Sequence, residues 1–128
     1  MIIGVGVDII EIERIKKACS KESFVNKVYT QNEIKCLGKL KFNSLAGNFA
    51  IKEAVSKVFG TGISGFQMTD IEVLRNENGM PFVVLHNQAK NIANKLGISK
   101  ICVSISHDKN TAIGYAIGSN DWFVYNVS

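Results

Sequence analysis

Residues 44–59, SLAGNFAIKEAVSKVF, form the longest helical pattern in the chain and decide its fold. Their apolar side chains spread almost all the way round a helical wheel, which is typical of a helix at the centre of a domain. The pattern ends at Gly60, and glycine favours the left-handed conformation in which many helices terminate. We therefore predict a central helix over 44–59.

Polar residues interrupt this predicted helix along two stripes. Asn48, Lys52 and Ser56 form one stripe, which we interpret as a solvated face. Glu53 and Lys57 form the other, and an (i, i+4) pair of this kind is usually a surface salt bridge. Small alanines flank the second stripe, so a carboxylate and an ammonium there also suit a magnesium–phosphate ligand. Both interpretations of the second stripe stay open.

The segments on either side alternate between strand and helix patterns. Thr30-Gln-Asn-Glu33 is a capping box, and Gly97 closes another helical pattern. Pro81 begins the second strand of a hairpin, where a missing N–H is tolerated. Strands are predicted at 2–7, 70–75, 82–85, 101–106 and 111–117, and further helices at 9–20, 30–39 and 87–96. This order predicts an α+β fold in a single domain of residues 1–128, with the tail from Trp122 to Ser128 unassigned.

Composition is that of a soluble globular protein. Of the 128 residues, 46% are hydrophobic and 20% charged, and the net charge of +4 fits an anionic partner. The mean hydropathy of +0.11 suggests that other subunits cover some apolar surface. No apolar run approaches the roughly 20 residues of a spanning helix, and the first residues lack the pattern of a secretory signal.

The cysteines indicate the compartment. Cys19, Cys36 and Cys102 are odd in number and form no C-x-x-C pair. We expect reduced, mostly buried thiols and a cytoplasmic location.

Asp8 follows a predicted strand and precedes a predicted helix. Asp8-Ile-Ile-Glu11 has the spacing of a capping box, so the simplest interpretation is a helix cap. A ligand or catalytic role is the alternative, because functional groups gather at strand ends.

Two loops contain further candidate functional residues. Gly60-Thr-Gly-Ile-Ser-Gly65 is either a helix C-cap with its loop or a backbone nest for phosphate, and it lacks a Walker A ending. Ser104-Ile-Ser-His-Asp108 suggests a hydrolase triad, but adjacent residues rarely assemble one. A turn with Asx-type hydrogen bonds is simpler, and His107 as a ligand contact is the alternative.

Taken together, the motifs resemble a known family. GVGVDIIEIERI at 4–15, FAIKEAVSKVFGTG at 49–62, GMP at 79–81 and SISHD at 104–108 resemble the holo-acyl-carrier-protein synthase family, a match that runs from residue 2 to about 117. The resemblance implies an enzyme of fatty acid biosynthesis that transfers 4′-phosphopantetheine from coenzyme A to a serine of acyl carrier protein. It also implies release of 3′,5′-adenosine bisphosphate and a homotrimer with active sites between subunits.

The resemblance further implies roles for individual residues. Asp8 and Glu53 would bind Mg²⁺, and together with Lys57 they would form the catalytic set. The coenzyme A site would comprise Lys57, Gly60, Thr61, Gly62, Pro81 and His107. Carrier-protein docking would fall to the basic residues Arg14, Lys17 and Lys21.

Two residues depart from the family pattern. Asn48 replaces a common arginine and Ile51 a usual alanine, which puts in doubt how the 3′-phosphate or the carrier is recognised. A second hypothesis is a non-enzymatic basic module that binds an acidic protein or nucleic acid. It leaves Asp8 and Glu53 unexplained, and the chain shows no recognised nucleic-acid motif. Hydrolysis of a nucleotide pyrophosphate is a third possibility.

Overall fold

The computed structural model describes residues 1–38 and 41–120, and these form an α+β fold as predicted. In chain order the elements are β1 (Ile2–Glu11), α1 (Ile12–Ala18), α2 (Glu22–Val28), α3 (Gln31–Leu37), α4 (Phe42–Phe59), a 3₁₀ turn (Met68–Asp70), β2 (Ile71–Arg75), β3 (Pro81–Leu85), α5 (Asn87–Leu96), β4 (Lys100–His107) and β5 (Thr111–Ser119).

The strands form two antiparallel sheets. One has the order β1-β5-β4, and the other is the predicted hairpin of β2 and β3. Pro81 opens β3 opposite Arg75, which confirms its predicted place at the start of that strand. Strand β5 therefore lies between β1 and β4, which separates residues at the ends of those two strands.

Helix α4 is the predicted central helix, and it ends at Gly60 with a left-handed φ of 76°. It packs across β1 and β5 and carries buried residues into two apolar clusters. Ile51 and Val55 belong to the cluster that includes the hairpin and α5. Leu45 belongs to the cluster beneath α1 to α3. The rest of the described chain is thus organised around α4.

The beginning of the chain differs from the prediction. Strand β1 continues to Glu11, so α1 begins at Ile12 instead of residue 9. Ile9 and Ile10 suit a strand and a helix equally, and pairing with β5 decides for the strand. One face of the strand is open to solvent, since Val5, Val7 and Ile9 are more than half exposed.

Some of the other local predictions are confirmed, and one helix was missed. The Thr30–Glu33 capping box begins α3, and α5 spans the predicted residues. Helix α2 was not predicted, because its N-cap Lys21 makes no side-chain capping bond. The predicted end of one helix at residue 39 and the tail of residues 122–128 lie outside the described residues.

The cysteines are free thiols, but they are not mostly buried as predicted. Cys36 and Cys102 are exposed, and only Cys19 is half-buried. Within residues 1–38 and 41–120, no helix combines the length and apolar character that crossing a membrane requires.

Candidate active site

Close packing between α4 and the larger sheet builds the site. A Cβ atom on Gly6 of β1 would lie 2.0 Å from the carbonyl oxygen of Ala54, and one on Gly114 of β5 would lie 2.6 Å from the carbonyl carbon of Ala50. Only glycine lets the helix backbone approach the strands this closely. Side chains at the edge of α4 are therefore brought within reach of those on β1.

Asp8 lies on β1 within this contact, opposite Gly114. Its Oδ1 atom is 3.5 Å from the Lys57 ammonium, which also donates a hydrogen bond of 2.7 Å to the carbonyl oxygen of Val7. The predicted helix cap at Asp8 is wrong, because the strand runs on and Glu11 occupies the N-cap position of α1. The carboxylate is thus directed to α4, where the ligand interpretation requires it.

Glu53 lies one turn before Lys57 on α4 and is half-buried. Partial burial raises the pKa of its carboxyl, the charge of Asp8 raises it further, and the Lys57 ammonium offsets part of the rise. The nearby charge of Asp8 thus disfavours ionisation of Glu53. A divalent cation between them would relieve this repulsion.

The donor set fits Mg²⁺ in the way that phosphate enzymes use it. Mg²⁺ is commonly held by one or two carboxylates, with substrate phosphates and water completing its shell. In the part of the chain that the structure describes, no group of three or more His, Cys, Asp or Glu side chains is arranged to hold a metal. Asp8 and Glu53 therefore suit a cation whose remaining ligands come from a substrate, not an all-protein cage.

The glycine loop after α4 begins at the same end of the helix as Lys57. Gly60 is the helix C-cap, as the simpler prediction had it, and Gly62 and Gly65 also have positive φ. Residues 60–65 are exposed. The backbone of this loop is therefore accessible to a ligand that also contacts Lys57.

Two of the predicted coenzyme A contacts lie apart from the cluster. Pro81 is on the hairpin sheet, and His107 ends β4, with β5 between it and Asp8. Among the described residues, no hydrogen bond or ion pair connects either of them to Asp8, Glu53 or Lys57. Within one copy of the chain, the structure therefore brings together only part of the predicted set.

The segment around His107 is a turn and not a hydrolase triad. Asp108 Oδ1 accepts hydrogen bonds from the backbone N–H of Thr111 at 2.8 Å and of Asn110 at 2.9 Å. These bonds, with one from the Thr111 hydroxyl, hold the pKa of Asp108 below its usual value. His107 is exposed beside Asp108 on a surface hollow of about 150 Å³. The Asx-type turn is confirmed.

The basic residues predicted to dock a carrier protein are exposed. Arg14 and Lys17 lie on the outer face of α1, opposite the buried Ile12 and Ile15. Lys21 lies beyond α1, at the N-cap of α2. The three cations thus span two helices and not one.

The stripe predicted to be solvated is buried. Lys52 donates a 2.8 Å hydrogen bond to Glu33, and both side chains are excluded from solvent. Asn48 Nδ2 donates to Glu33 at 2.9 Å and to the carbonyl oxygen of Val73 at 3.0 Å, while its own Oδ1 has no partner. Burial lowers the pKa of Lys52 although the charge of Glu33 counteracts this effect. Asn48 is therefore an interior residue, as is Ile51, and the departure at Asn48 does not remove a cation from an exposed site.

Comparison with known proteins shows the family of the chain. Residues 4–116 match the family model of the 4′-phosphopantetheinyl transferase superfamily. The chain belongs to this superfamily. The match includes Asp8, all of α4 and His107.

Relatives are similar over nearly their whole length. The holo-[acyl-carrier-protein] synthase of Clostridium perfringens is 48% identical, with 96% of this chain and 98% of that protein covered. That of Thermoanaerobacter sp. is 51% identical over 88% of this chain and 84% of that protein. The Helicobacter pylori enzyme, whose crystal structure is a complex with coenzyme A, is 34% identical with a TM-score of 0.81, covering 90% of this chain and 99% of that one.

Proposed function

We propose that this protein is a holo-acyl-carrier-protein synthase, which transfers 4′-phosphopantetheine from coenzyme A to a serine of apo-acyl carrier protein. The observation that carries the proposal is the cluster of Asp8, Glu53 and Lys57, built by α4 and β1 in a chain of the phosphopantetheinyl transferase superfamily. Its cation, carboxylates and adjoining glycine loop suit a pyrophosphate ligand. In the reaction, the serine oxygen attacks the β-phosphorus and 3′,5′-adenosine bisphosphate leaves.

Asp8 and Glu53 would hold Mg²⁺, which supplies positive charge to the pyrophosphate as the bond to the leaving phosphate breaks. Lys57 has three N–H donors, of which one is used by Val7 and another points to Asp8. Within residues 1–38 and 41–120 no acceptor takes the third, and half of the side chain is exposed, so it can donate to a phosphoryl oxygen. Lys57 would thus bind and orient the group that is transferred.

We propose that the working form is a homotrimer. The sheet face opposite α4 exposes an apolar patch, which a soluble chain usually covers. The patch comprises Val5, Val7, Ile9, Ile113 and Tyr115. Since Pro81 and His107 lie away from the Asp8 cluster, a second copy could supply them to it. Sedimentation should therefore give three times the 14.0 kDa of one chain.

The remaining partners follow from charge. Arg14, Lys17 and Lys21 present cations to an acidic surface of the carrier protein. A cytoplasmic location is part of the proposal, supported by three free cysteines.

Intact-mass measurement of an apo-carrier protein tests the proposed function. With this protein, coenzyme A and Mg²⁺, the carrier should become heavier by one phosphopantetheine group. Omitting coenzyme A or chelating Mg²⁺ should leave the carrier mass unchanged. A carrier that stays unmodified in the complete mixture would contradict the proposal, and coenzyme A breakdown without a carrier would favour pyrophosphate hydrolysis.

A further inference from the structure

The buried ammonium of Lys52 makes three contacts, which equals its number of N–H donors. It donates to Glu33 Oε1 at 2.8 Å, to the carbonyl oxygen of Met68 at 3.0 Å and to that of Ile71 at 2.5 Å. The side chain is fully buried. Lys52 therefore cannot touch a substrate, and any role in the reaction must act through its partners.

Two of these partners close the loop that follows α4. Met68 begins the 3₁₀ turn and Ile71 begins β2, so both lie where the chain returns from residues 60–67. The other end of the loop is fixed by α4 itself at Gly60. Lys52 thus joins the returning end of the loop to the helix from which the loop departs.

The loop between these two ends has few attachments of its own. Residues 60–65 are exposed, and a hydrogen bond from the Ser64 N–H to the carbonyl oxygen of Gly62 lies within the loop. At its end, the ring of Phe66 packs edge-on against that of Phe59, with 5.8 Å between centroids. The position of the exposed part therefore depends on how its ends are held.

We infer that Lys52 is a positioning residue for the transfer reaction, which holds the loop of residues 60–67 where coenzyme A meets it. The inference rests on the proposed function, in which Gly60, Thr61 and Gly62 contact coenzyme A. The inference predicts that the two substrates of the reaction are affected differently. Loss of the Lys52 contacts should weaken the use of coenzyme A, whereas the carrier docks on α1 and α2 and should be used as before.

The test compares two variants in the carrier-mass assay. In the double variant Lys52→Met with Glu33→Gln, the contacts to both carbonyls are lost, but no buried carboxylate is left unpaired. We expect the KM for coenzyme A to rise about tenfold, and the KM for the carrier to change less than about twofold. Glu33→Gln alone is the control for the carbonyl contacts, because it keeps both of them. It leaves the buried ammonium without its carboxylate and should lose stability, but its KM for coenzyme A should stay within about twofold of wild type.

A purely structural role would lower the active fraction and leave the two KM values unsplit. Equal changes in both constants, or no change in either, would therefore overturn the inference. A wild type that does not modify the carrier would overturn the proposed function as well, so the two failures are distinguishable.

Hydrogen exchange of the wild type keeps the inference testable if the double variant does not fold. Coenzyme A should slow exchange of the amides of residues 61–67 by about tenfold and leave those of α2 unchanged. Unchanged exchange in the loop would overturn the inference, because a loop that does not meet coenzyme A has no position to be held for it.

Discussion

Two lysines on the same helix have opposite surroundings. The Lys52 ammonium is 2.8 Å from Glu33, and both side chains have no exposed surface. The Lys57 ammonium is 3.5 Å from Asp8, and the two side chains are 52% and 21% exposed. Lys52 directs its three N–H donors to acceptors in the protein. Lys57 is accessible to solvent and, among the described residues, has one N–H donor left for a ligand. Only the outer pair is therefore equipped to bind a ligand.

On the proposed function, one helix would serve as both scaffold and active site. Breaking a buried ion pair is costly because it leaves an uncompensated charge in the interior. An exposed pair contributes little, since water and salt screen it. The inner pair should therefore govern stability and the outer pair activity.

The largest expected effect is on the free energy of unfolding of the protein, when the inner pair is broken. Lys52→Met should lower the free energy of unfolding by about 3–5 kcal/mol, because Glu33 would remain buried and unpaired. Lys57→Met, the matched change on the outer pair, should alter it by less than about 1 kcal/mol. Urea unfolding followed by circular dichroism measures both. Similar losses from the two variants would contradict the division of roles.

The next effect reverses the comparison and concerns activity. Lys57→Met should lower kcat/KM for transfer by about 100-fold, or roughly 2.7 kcal/mol, through loss of a cation at the pyrophosphate. Lys95→Met on α5, also an exposed lysine but away from the proposed docking helices, is the control and should retain wild-type activity. Near wild-type kcat/KM in Lys57→Met would refute its assignment.

A smaller effect concerns stability at low pH and arises from the carboxylate of Glu72. Burial opposes ionisation of Glu72, but hydrogen bonds from Thr30 and His86 outweigh it and hold the pKa below its ordinary value. Because the folded pKa is the lower one, this stabilisation is present above the unfolded value of about 4.3 and disappears as pH falls through the folded pKa.

As the pH is lowered from 7 to 3, the free energy of unfolding should therefore fall more steeply for wild type than for Glu72→Gln. The difference should be no more than about 1 kcal/mol. Parallel pH profiles would show that the Glu72 contacts contribute nothing to acid sensitivity.

The smallest effect concerns Glu53 in the outer cluster. Its folded pKa is raised, so its contribution to stability is lost as pH rises through that pKa, and the ionised carboxylate disfavours folding at neutral pH. Without a divalent cation, Glu53→Gln should therefore match the wild type or exceed it by a few tenths of a kcal/mol at pH 7. The same urea titration measures this, and a clear loss of stability would contradict the repulsion with Asp8.

Elements with strong local signals were predictable from the sequence. Periodicity and a closing glycine set the helix before Gly60 and the helix before Gly97, and the capping box at Thr30 set the start of α3. The end of β1 was not predictable locally, because pairing of Ile9 and Ile10 with β5 decides it. Local patterns fix such elements only where no distant strand competes.

The error over the stripe of Asn48, Lys52 and Ser56 on α4 has a physical reason. A helical wheel gives angles between side chains but not the positions of neighbouring elements, and here α3 and β2 cover the Lys52 face. A signal was present, because apolar Leu45, Ile51 and Val55 left little of the circumference for solvent. The family pattern joined Asp8 to Glu53, and the glycine contacts of β1 and β5 now give a physical reason for that pairing.

The most direct test of the central claim, that the outer cluster is left open for a cation and a phosphate ligand, is thermal unfolding under Mg²⁺ titration with coenzyme A present. The melting temperature of the wild type should rise as Mg²⁺ is added, because ligands that bind only the folded state stabilise it. Glu53→Gln should show little or none of this rise. An equal rise in both proteins, or none in the wild type, would contradict the account.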